Sequence, residues 1–208
     1  MKRIALLLMA ALLSCAPKPV PQADAPPGAI DVSQDPQQND KGGVKGIAIE
    51  RGGYQFFITP KADYLLRGIV VGRENYGGDW NSLLAPCDLA VVWGKLAADG
   101  LYKRLSWSQS GRWYFWQYPG DFGYDNTFIA RYSSNNHIIP ASDNLRSAAL
   151  SLQEGDTVEL AGSLVDVDGR KGEGTVWWYS SMSRDDTGDG SCEVFYVTRI
   201  VCHGKAYQ

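Results

Sequence analysis

The stretch GDTVELAGSLVDV, residues 155–167, decides the fold that this sequence predicts. Its β-branched and apolar residues follow a Gly-Asp step, which is typical of a strand that begins after a turn. Gly162 stands inside the strand, where a glycine marks a bulge or a sharp bend. Just before it, SDNLRSAALSLQ (142–153) places four apolar residues at helical spacing behind Ser142, which can cap a helix. We therefore expect a helix followed by a sharply curved strand.

Strand signals dominate the rest of the folded part. Aromatic and β-branched residues form short runs separated by Gly, Asp, Asn and Pro, as in antiparallel sheets. The other predicted strands are YQFFIT (54–59), YLLRGIVVG (64–72), RWYFWQY (112–118), TFIARYS (127–133), TVWWYSS (175–181) and EVFYVTRIV (193–201). Residues 89–93 fit either a strand or the end of a short helical turn near residues 80–84. The chain is predicted to be mainly β, and α+β at most.

The order of these elements suggests how the sheet is arranged. A helix, a strand with an interior glycine and two further strands resemble the small barrels of the OB type, in which such a glycine permits the curl that closure requires. The expected architecture is an antiparallel, OB-like or partly open barrel with one short helix. A two-layer β-sandwich is the alternative. This resemblance concerns the fold and implies no function.

The N-terminal residues MKRIALLLMAALLSC (1–15) have the layout of a secretory signal. Lys2 and Arg3 precede an apolar run that is too short to span a bilayer comfortably. The motif LLSC (12–15) resembles the lipobox of bacterial lipoproteins. The resemblance implies that residues 1–14 are a signal peptide, that Cys15 carries a lipid such as palmitate and, because Ala16 is not aspartate, that the protein is sorted to the outer membrane, facing the periplasm.

Residues 15–46 follow as a segment rich in Pro, Gln, Asp and Gly. It contains almost no large apolar side chains to offset its ordering entropy, so we expect a disordered tether, with a structured arm as the alternative. Residues 47–208 have the size of one β-rich domain. Loss of Lys2 and Arg3 with the signal lowers the 20 basic residues to 18, against 23 acidic ones. This surplus of acids argues against nucleic acid as a partner.

Three further cysteines lie in a compartment that oxidises thiols. If residues 193–201 form one straight strand, Cys192 and Cys202 are about 30 Å apart, whereas a disulfide requires Cα atoms within about 7 Å. Cys87 can pair with Cys202, with Cys192 or with neither. We favour Cys87–Cys202, because Cys202 lies beyond the end of the strand. Cys192 is then a thiol that serves either as a small hydrophobic residue or as a nucleophile.

The segment SSMSRDDTGDGSCE (180–193) concentrates acids, an arginine, glycines and a cysteine. Asp185 and Asp189 match the opening of a calcium loop only in part, and Tyr196 stands where the bidentate acid is required. The segment also fits a hairpin loop, as does the weaker calcium candidate DVDGRKGE (166–173). We predict no metal site and no cofactor, with calcium at Asp185 and Asp189 as the alternative.

His137 is the internal candidate for a general base, because the other histidine, His203, lies near the C-terminus. A thiol or hydroxyl enzyme would need a nucleophile beside it, an acid to orient the imidazole and a cation to hold an anion. The candidate catalytic residues are His137, Cys192, Arg184 and Asp186, with Ser180 or Ser181 as a hydroxyl in place of the thiol. The alternative is a structural role in which His137 and its neighbours hydrogen-bond a loop.

Several segments together resemble a group of bacterial membrane-anchored proteins to which no activity is attached. The segments that carry the resemblance are PCDLAVVWG (86–94), RWYFW (112–116), NNHIIPA (135–141), GDTVELAGSLVD (155–166) and SSMSRDDTGDGSCEVFYV (180–197). They span most of the folded region. The resemblance makes the four candidate catalytic residues the first ones to test.

Aromatic residues supply a second candidate site. Side chains alternate along a strand, so RWYFWQY places on one face the candidate ligand-binding residues Arg112, Tyr114, Trp116 and Tyr118. If the opposite face builds the core, this face offers rings beside an arginine, which suits a glycan or a protein. TVWWYSS repeats the pattern, with Trp177 and Tyr179 opposite Trp178. A sheet buried on both faces is the alternative.

The function expected from the sequence is that of a non-enzymatic, lipid-anchored binding module. Its expected partners are the membrane, through the N-terminal lipid, and an envelope protein or glycan. The alternative is a periplasmic hydrolase or thiol enzyme that uses His137.

Overall fold

The computed structural model describes residues 17–26, 28, 30–40, 45–183 and 191–208 of the 208-residue chain. Strands account for 51% of the residues and helices for 16%, so the mainly-β prediction is confirmed. The strands are β1 (Ala23–Asp24), β2 (Gln37–Asp40), β3 (Ile47–Arg51), β4 (Tyr54–Asn75), β5 (Cys87–Val92), β6 (Ser106–Ser110), β7 (Trp113–Gln117), β8 (Ser133–Pro140), β9 (Thr157–Lys171), β10 (Gly174–Tyr179), β11 (Glu193–Cys202) and β12 (Lys205–Tyr207). The helices are α1 (Trp80–Leu84), α2 (Gly94–Ala98), α3 (Asn126–Arg131) and α4 (Asp143–Ser151), with a 3-10 turn at Leu101–Arg104.

Five of the strands form a partly closed ring. Around the ring, β4 pairs with β5, β5 with β8, β8 with β11, β11 with β9, and β9 with β4. The β8–β11 pair is parallel and the other four are antiparallel, so the sheet is mixed. The predicted helix is α4, and Ser142 caps it by accepting a hydrogen bond from the backbone N–H of Leu145. The partly closed ring agrees with the partly open arrangement expected from the sequence. The expectation of a wholly antiparallel sheet with one short helix is wrong, because β8 and β11 run parallel and four helices are present in the described residues.

Gly162 lies where β9 passes between two partner strands. It is in register with Tyr64 of β4 on one side and with Val197 of β11 on the other. A Cβ atom at this position would collide with the carbonyl oxygen of Tyr196. The backbones can therefore approach closely only because the residue is glycine. This is the physical reason for the interior glycine of the strand.

Apolar side chains pack in three clusters. The first fills the ring, where Leu66, Leu89, Ile138 and Phe195 meet Leu145 of α4. The second lies outside the ring, beneath α2, α3 and the β6–β7 hairpin. The third lies between the ring and a four-stranded extension made by β3, β10 and the neighbouring ends of β4 and β9. We call this extension the outer lobe.

Three local assignments differ from the sequence-based expectation. Residues 54–75 form one long strand instead of two. The run predicted as a strand at residues 127–133 is mostly α3, because Asp125 caps a helix there by accepting a hydrogen bond from the N–H of Phe128. The loop expected around His137 is the buried strand β8.

The described residues of the predicted tether lie on the domain. β1 pairs with β12 and β2 pairs with β4. The side chain of Asn144 exchanges two hydrogen bonds with the backbone of Val20, and the N–H of Gly94 donates to the carbonyl of Val32. The prediction of a disordered tether is therefore wrong for these residues. Backbone hydrogen bonds to open strand edges hold the arm in place of the apolar burial that its composition lacks.

We predict that Gly162→Ala lowers the free energy of unfolding by about 1–3 kcal/mol, the usual cost of overpacking. The added methyl group forces β9 and β11 apart at the point where the ring closes. Urea unfolding followed by tryptophan fluorescence measures the change. Gly77→Ala is the control, because a Cβ atom there has no heavy atom within 4 Å. Equal stability of the two variants would contradict this account of ring closure.

Candidate functional site

Five residues meet on the outer face of β5, β8 and β11, and we call them the polar cluster: Asp88, Arg112, Asn135, His137 and Cys192. Asp88 is in register with His137 across β5 and β8, which places their side chains on the same face. Asn135 lies two residues before His137 and shares that face. Cys192 immediately precedes β11, whose Val194 is in register with His137.

Asp88 is the centre of the polar cluster, and its side chain is wholly buried. Arg112 Nη1 donates to Asp88 Oδ1 at 2.8 Å, and Asn135 Nδ2 donates to Oδ2 at 3.3 Å. His137 Nδ1 lies 2.9 Å from Oδ2 as a close contact that lacks the alignment of a hydrogen bond. A buried carboxylate persists only when it is paired, and here Arg112 supplies the charge.

Arg112 occupies a strained backbone position. Gly111 and Arg112 form the two-residue turn between β6 and β7, with φ values of 60° and 72°. Such turns require positive φ at both central positions, which a non-glycine residue adopts at a cost of about 1 kcal/mol or more. Strain of this kind persists only where surrounding contacts hold it in place. The contacts of the Arg112 side chain are the evident source.

The guanidinium group of Arg112 fastens the hairpin to the ring. Besides Asp88, it donates to the carbonyl oxygen of Ala85 at 3.1 and 3.2 Å. It also lies over the Tyr76 ring, with the guanidinium carbon 3.9 Å from the ring centroid. Asp79 Oδ1 is 3.7 Å from Nη2. With its side chain only 15% exposed, Arg112 is a structural clamp, and the predicted ligand-binding role does not fit this position.

His137 lies beneath Trp178 of the outer lobe. The two ring centroids are 4.5 Å apart, and the His137 side chain is only 4% exposed. The imidazole is thus enclosed between Asp88 and the indole. A general base must reach the proton that it removes, so the burial of His137 counts against the enzyme hypothesis.

The candidate nucleophiles have other contacts. Cys192 Sγ lies 3.9 Å from Asn135 Nδ2 and 3.9 Å from the carbonyl oxygen of Arg112. Ser180 Oγ donates to the carbonyl of Ser181 and accepts from the N–H of Val194. Both contacts of Ser180 are with the backbone, which indicates a structural hydroxyl.

Ser181 is used in the same way. Its hydroxyl donates to the carbonyl of Ser183 at 2.9 Å and accepts from the N–H of the same residue at 3.1 Å. Side chain to backbone bonds of this type stabilise turns. The structure therefore brings His137, Cys192 and Arg112 together, and gives both serines backbone roles.

Several predicted residues lie outside the described part of the chain: Cys15, Arg184, Asp185, Asp186 and Asp189. Within the described part, no group of three or more His, Cys, Asp or Glu side chains has the geometry to hold a metal ion. The weaker calcium segment, residues 166–173, forms the end of β9 and its turn into β10, as expected for a hairpin.

The predicted Cys87–Cys202 disulfide is wrong. Cys87 is in register with Ile138, which is in register with Phe195. Phe195 lies seven residues from Cys202 along β11, so the two cysteines are roughly 20 Å apart. Both are separate buried thiols. Burial raises the pKa of Cys87 to about 12 and that of Cys202 to about 11, which makes both unreactive near neutral pH.

The aromatic face predicted on β7 is wrong as an exposed surface at Tyr114 and Trp116, which pack inward, whereas Tyr118 remains 36% exposed. Tyr114 and Trp116 join the apolar cluster beneath the hairpin. Trp116 Nε1 donates to Asn126 Oδ1 at 2.9 Å. Tyr118, just after β7, packs its ring 5.4 Å from that of Phe122. The core lies on this side of the hairpin, and the solvent side carries the 51% exposed Phe115 instead.

The outer lobe carries the exposed rings that the sequence assigned to TVWWYSS. Trp177 is in register with Asp168, and Asp168 with Phe57, so the three side chains share one face of the sheet. Tyr179 lies two residues after Trp177, with ring centroids 5.9 Å apart, and its hydroxyl donates to Asp168 Oδ1 at 3.0 Å. Trp177, Tyr179 and Phe57 are 69%, 50% and 51% exposed. We call these four residues the aromatic platform.

Asp88, the centre of the polar cluster, is not among the site residues predicted from the sequence. It stands in CDLAVV, a wholly buried run in which the other five residues are all apolar. A lone acid inside such a run needs a buried partner. The single acid in an apolar run is therefore a sequence signal that could have identified Asp88. The identity of the partner, Arg112, depends on contacts across 24 residues that no local pattern encodes.

Comparison with protein-family models, with curated proteins and with solved structures finds no match. No helix in the described part of the chain has both the length and the apolar character needed to cross a membrane.

We predict that Asp88→Asn lowers the free energy of unfolding by about 3 kcal/mol, because it leaves the largely buried Arg112 without its counter-charge. Urea unfolding is the measurement. Asp121→Asn is the matched control, because it removes the acid of the exposed Arg104–Asp121 pair, and such pairs contribute about 1 kcal/mol at most. If both variants lose the same stability, the polar cluster does not fasten the hairpin.

Proposed function

We propose that the protein is a lipid-anchored envelope protein whose outer lobe binds glycan chains. The observation that carries the proposal is the aromatic platform, where three exposed rings share one sheet face with a carboxylate. Soluble proteins rarely expose contiguous apolar patches without a binding role. The platform is therefore the surface to which we assign the ligand.

The chemistry of the platform matches that of a sugar. A sugar ring presents an apolar face of C–H groups and a rim of hydroxyl groups. Trp177 and Tyr179 offer flat surfaces for the apolar face. Asp168 retains carboxylate acceptor positions beyond the one used by Tyr179, and Asp166, paired with Lys61 at 3.2 Å, lies beside it on the same face. These acceptors suit sugar hydroxyl donors.

The surface at which OB-type barrels usually bind their ligands is covered in this chain, so the ligand is assigned to another surface. OB-type barrels commonly bind oligosaccharides and oligonucleotides at the face of their second and third strands. In this ring those strands are β5 and β8, and their outer face is buried beneath Arg112 and Trp178. A ligand that binds without rearrangement must use another surface. The acid surplus of the chain also disfavours a nucleic acid.

The anchoring part of the proposal rests on the signal-like residues 1–14 and on Cys15. The docked arm adds a geometric consequence. Val20 is held on the domain by Asn144, and only five residue steps separate it from Cys15. Five extended residues reach about 17 Å at most. A lipid on Cys15 would therefore hold the domain close to the membrane surface.

The alternative proposal is a thiol enzyme. Its support is that Cys192 shares a face with the Asp88–His137 contact, in which Asp88 would orient the imidazole. It requires displacement of Trp178, which covers His137. Cys192→Ser separates the two proposals, because it would abolish thiol catalysis and leave glycan binding unchanged.

We predict that Trp177→Ala weakens binding of soluble peptidoglycan fragments about tenfold, because aromatic stacking contributes about 0.5–1.5 kcal/mol beyond buried area. Isothermal titration calorimetry measures the affinity. Phe115→Ala is the control, since Phe115 is a 51% exposed ring on the β6–β7 hairpin, away from the platform. Wild-type affinity in the Trp177 variant would remove the platform from consideration.

We predict that Cys15→Ala abolishes metabolic labelling with a palmitate analogue and releases the protein from the membrane fraction, because stable anchoring requires the acyl chains. Gel fluorescence and fractionation report the two effects. Cys192→Ala should retain the label. Labelling that survives in the Cys15 variant would refute the lipid assignment.

A further inference from the structure

A second surface feature is a cleft of about 250 Å³ between the edge strand β3, the turn before α4, and β11. It is distinct from the aromatic platform. Ile49 lines the cleft and is in register with Phe56, whereas the platform residue Phe57 points to the opposite face of the sheet. Glycan binding at the platform therefore neither explains nor requires this cleft.

Two guanidinium groups line the cleft. Within the described residues, the side chain of Arg146 makes no hydrogen bond or ion pair. Arg51 uses Nη1 to donate to the carbonyl of Leu83 at 3.0 Å, which leaves its other donors available. Arginine forks match the planar geometry of a carboxylate. In a chain with more acids than bases, two arginines that share a cleft and form no ion pair with any residue that the structure describes are a specific feature.

The remaining lining residues narrow the class of ligand. Asp143 lies on the same wall as Arg146, so a dianion such as phosphate meets repulsion and a ligand that also carries an ammonium group is favoured. Ile49, Ile139 and Pro140 offer an apolar floor. Tyr196 also lines the cleft, and its hydroxyl can donate a hydrogen bond because a phenol is protonated at neutral pH. The volume suits a molecule much smaller than a glycan chain.

We propose that this cleft binds a small zwitterion, namely an aliphatic amino acid or dipeptide. Its carboxylate binds Arg51 and Arg146, its ammonium group faces Asp143, and its aliphatic side chain packs on Ile49 and Pro140. The site goes beyond the proposed function and stands independently of it.

The test is calorimetric titration of the purified full-length protein with leucine and with alanyl-alanine, each compared with its C-terminal amide. We expect saturable binding of at least one of the two, weakened at least tenfold in its amide. Arg146→Gln should weaken it to a similar extent, and Arg51→Gln provides a second variant at the same site. Arg170→Gln, at an exposed arginine of the outer lobe, should leave the affinity unchanged.

Three results would each overturn the proposal: no saturable binding of either probe, equal binding of acid and amide, or tighter binding of inorganic phosphate than of either probe. The outcome is separable from that of glycan binding. Trp177→Ala should leave the affinity for the small zwitterion intact, and Arg146→Gln should leave the affinity for glycan fragments intact.

Discussion

The close approach of β9 and β11 at Gly162 is the contact on which the rest of the structure depends. Gly162 has no side chain, so the backbones of β9 and β11 can come close enough to pair. β9 pairs with β11 along its first half and with β10 along its second half, and with β4 along its whole length. The first half completes the ring around its apolar core, and the second half projects as the outer lobe. One long strand thus builds both the partly closed ring and the sheet that carries the aromatic platform.

The Asp88–Arg112 pair determines which surfaces of the ring are exposed to solvent. It fastens the hairpin over β5 and β8 and is strong enough to hold Arg112 at positive φ. A buried pair of this kind contributes little net stability compared with apolar packing, yet losing one partner is costly. Its effect is therefore specificity of arrangement: the outer face of β5 and β8 is covered, whereas the outer lobe and the cleft beside α4 stay exposed.

The sequence predicted those features whose cause is local. The capped helix α4, the curl at Gly162 and the exposed alternation of Trp177 and Tyr179 follow from spacing and from backbone sterics. Prediction from the sequence failed where the structure depends on contacts between residues that are far apart in the chain. β8 reads as a polar loop because its SSNN residues find their hydrogen bonds on β5 and the hairpin. The disulfide prediction failed because the parallel register of β8 and β11 separates Cys87 from Cys202. No local sequence pattern encodes this register.

Burial of His137 counts against catalysis at the polar cluster. A general base there would act only after Trp178 or the hairpin moved, and the hairpin is held by an ion pair, two carbonyl hydrogen bonds and a cation–π contact of Arg112. Breaking these contacts costs far more free energy than binding a ligand to surfaces that are already formed. The platform and the cleft need no such rearrangement. The surfaces that a ligand could reach without rearrangement are therefore those that the polar cluster leaves exposed.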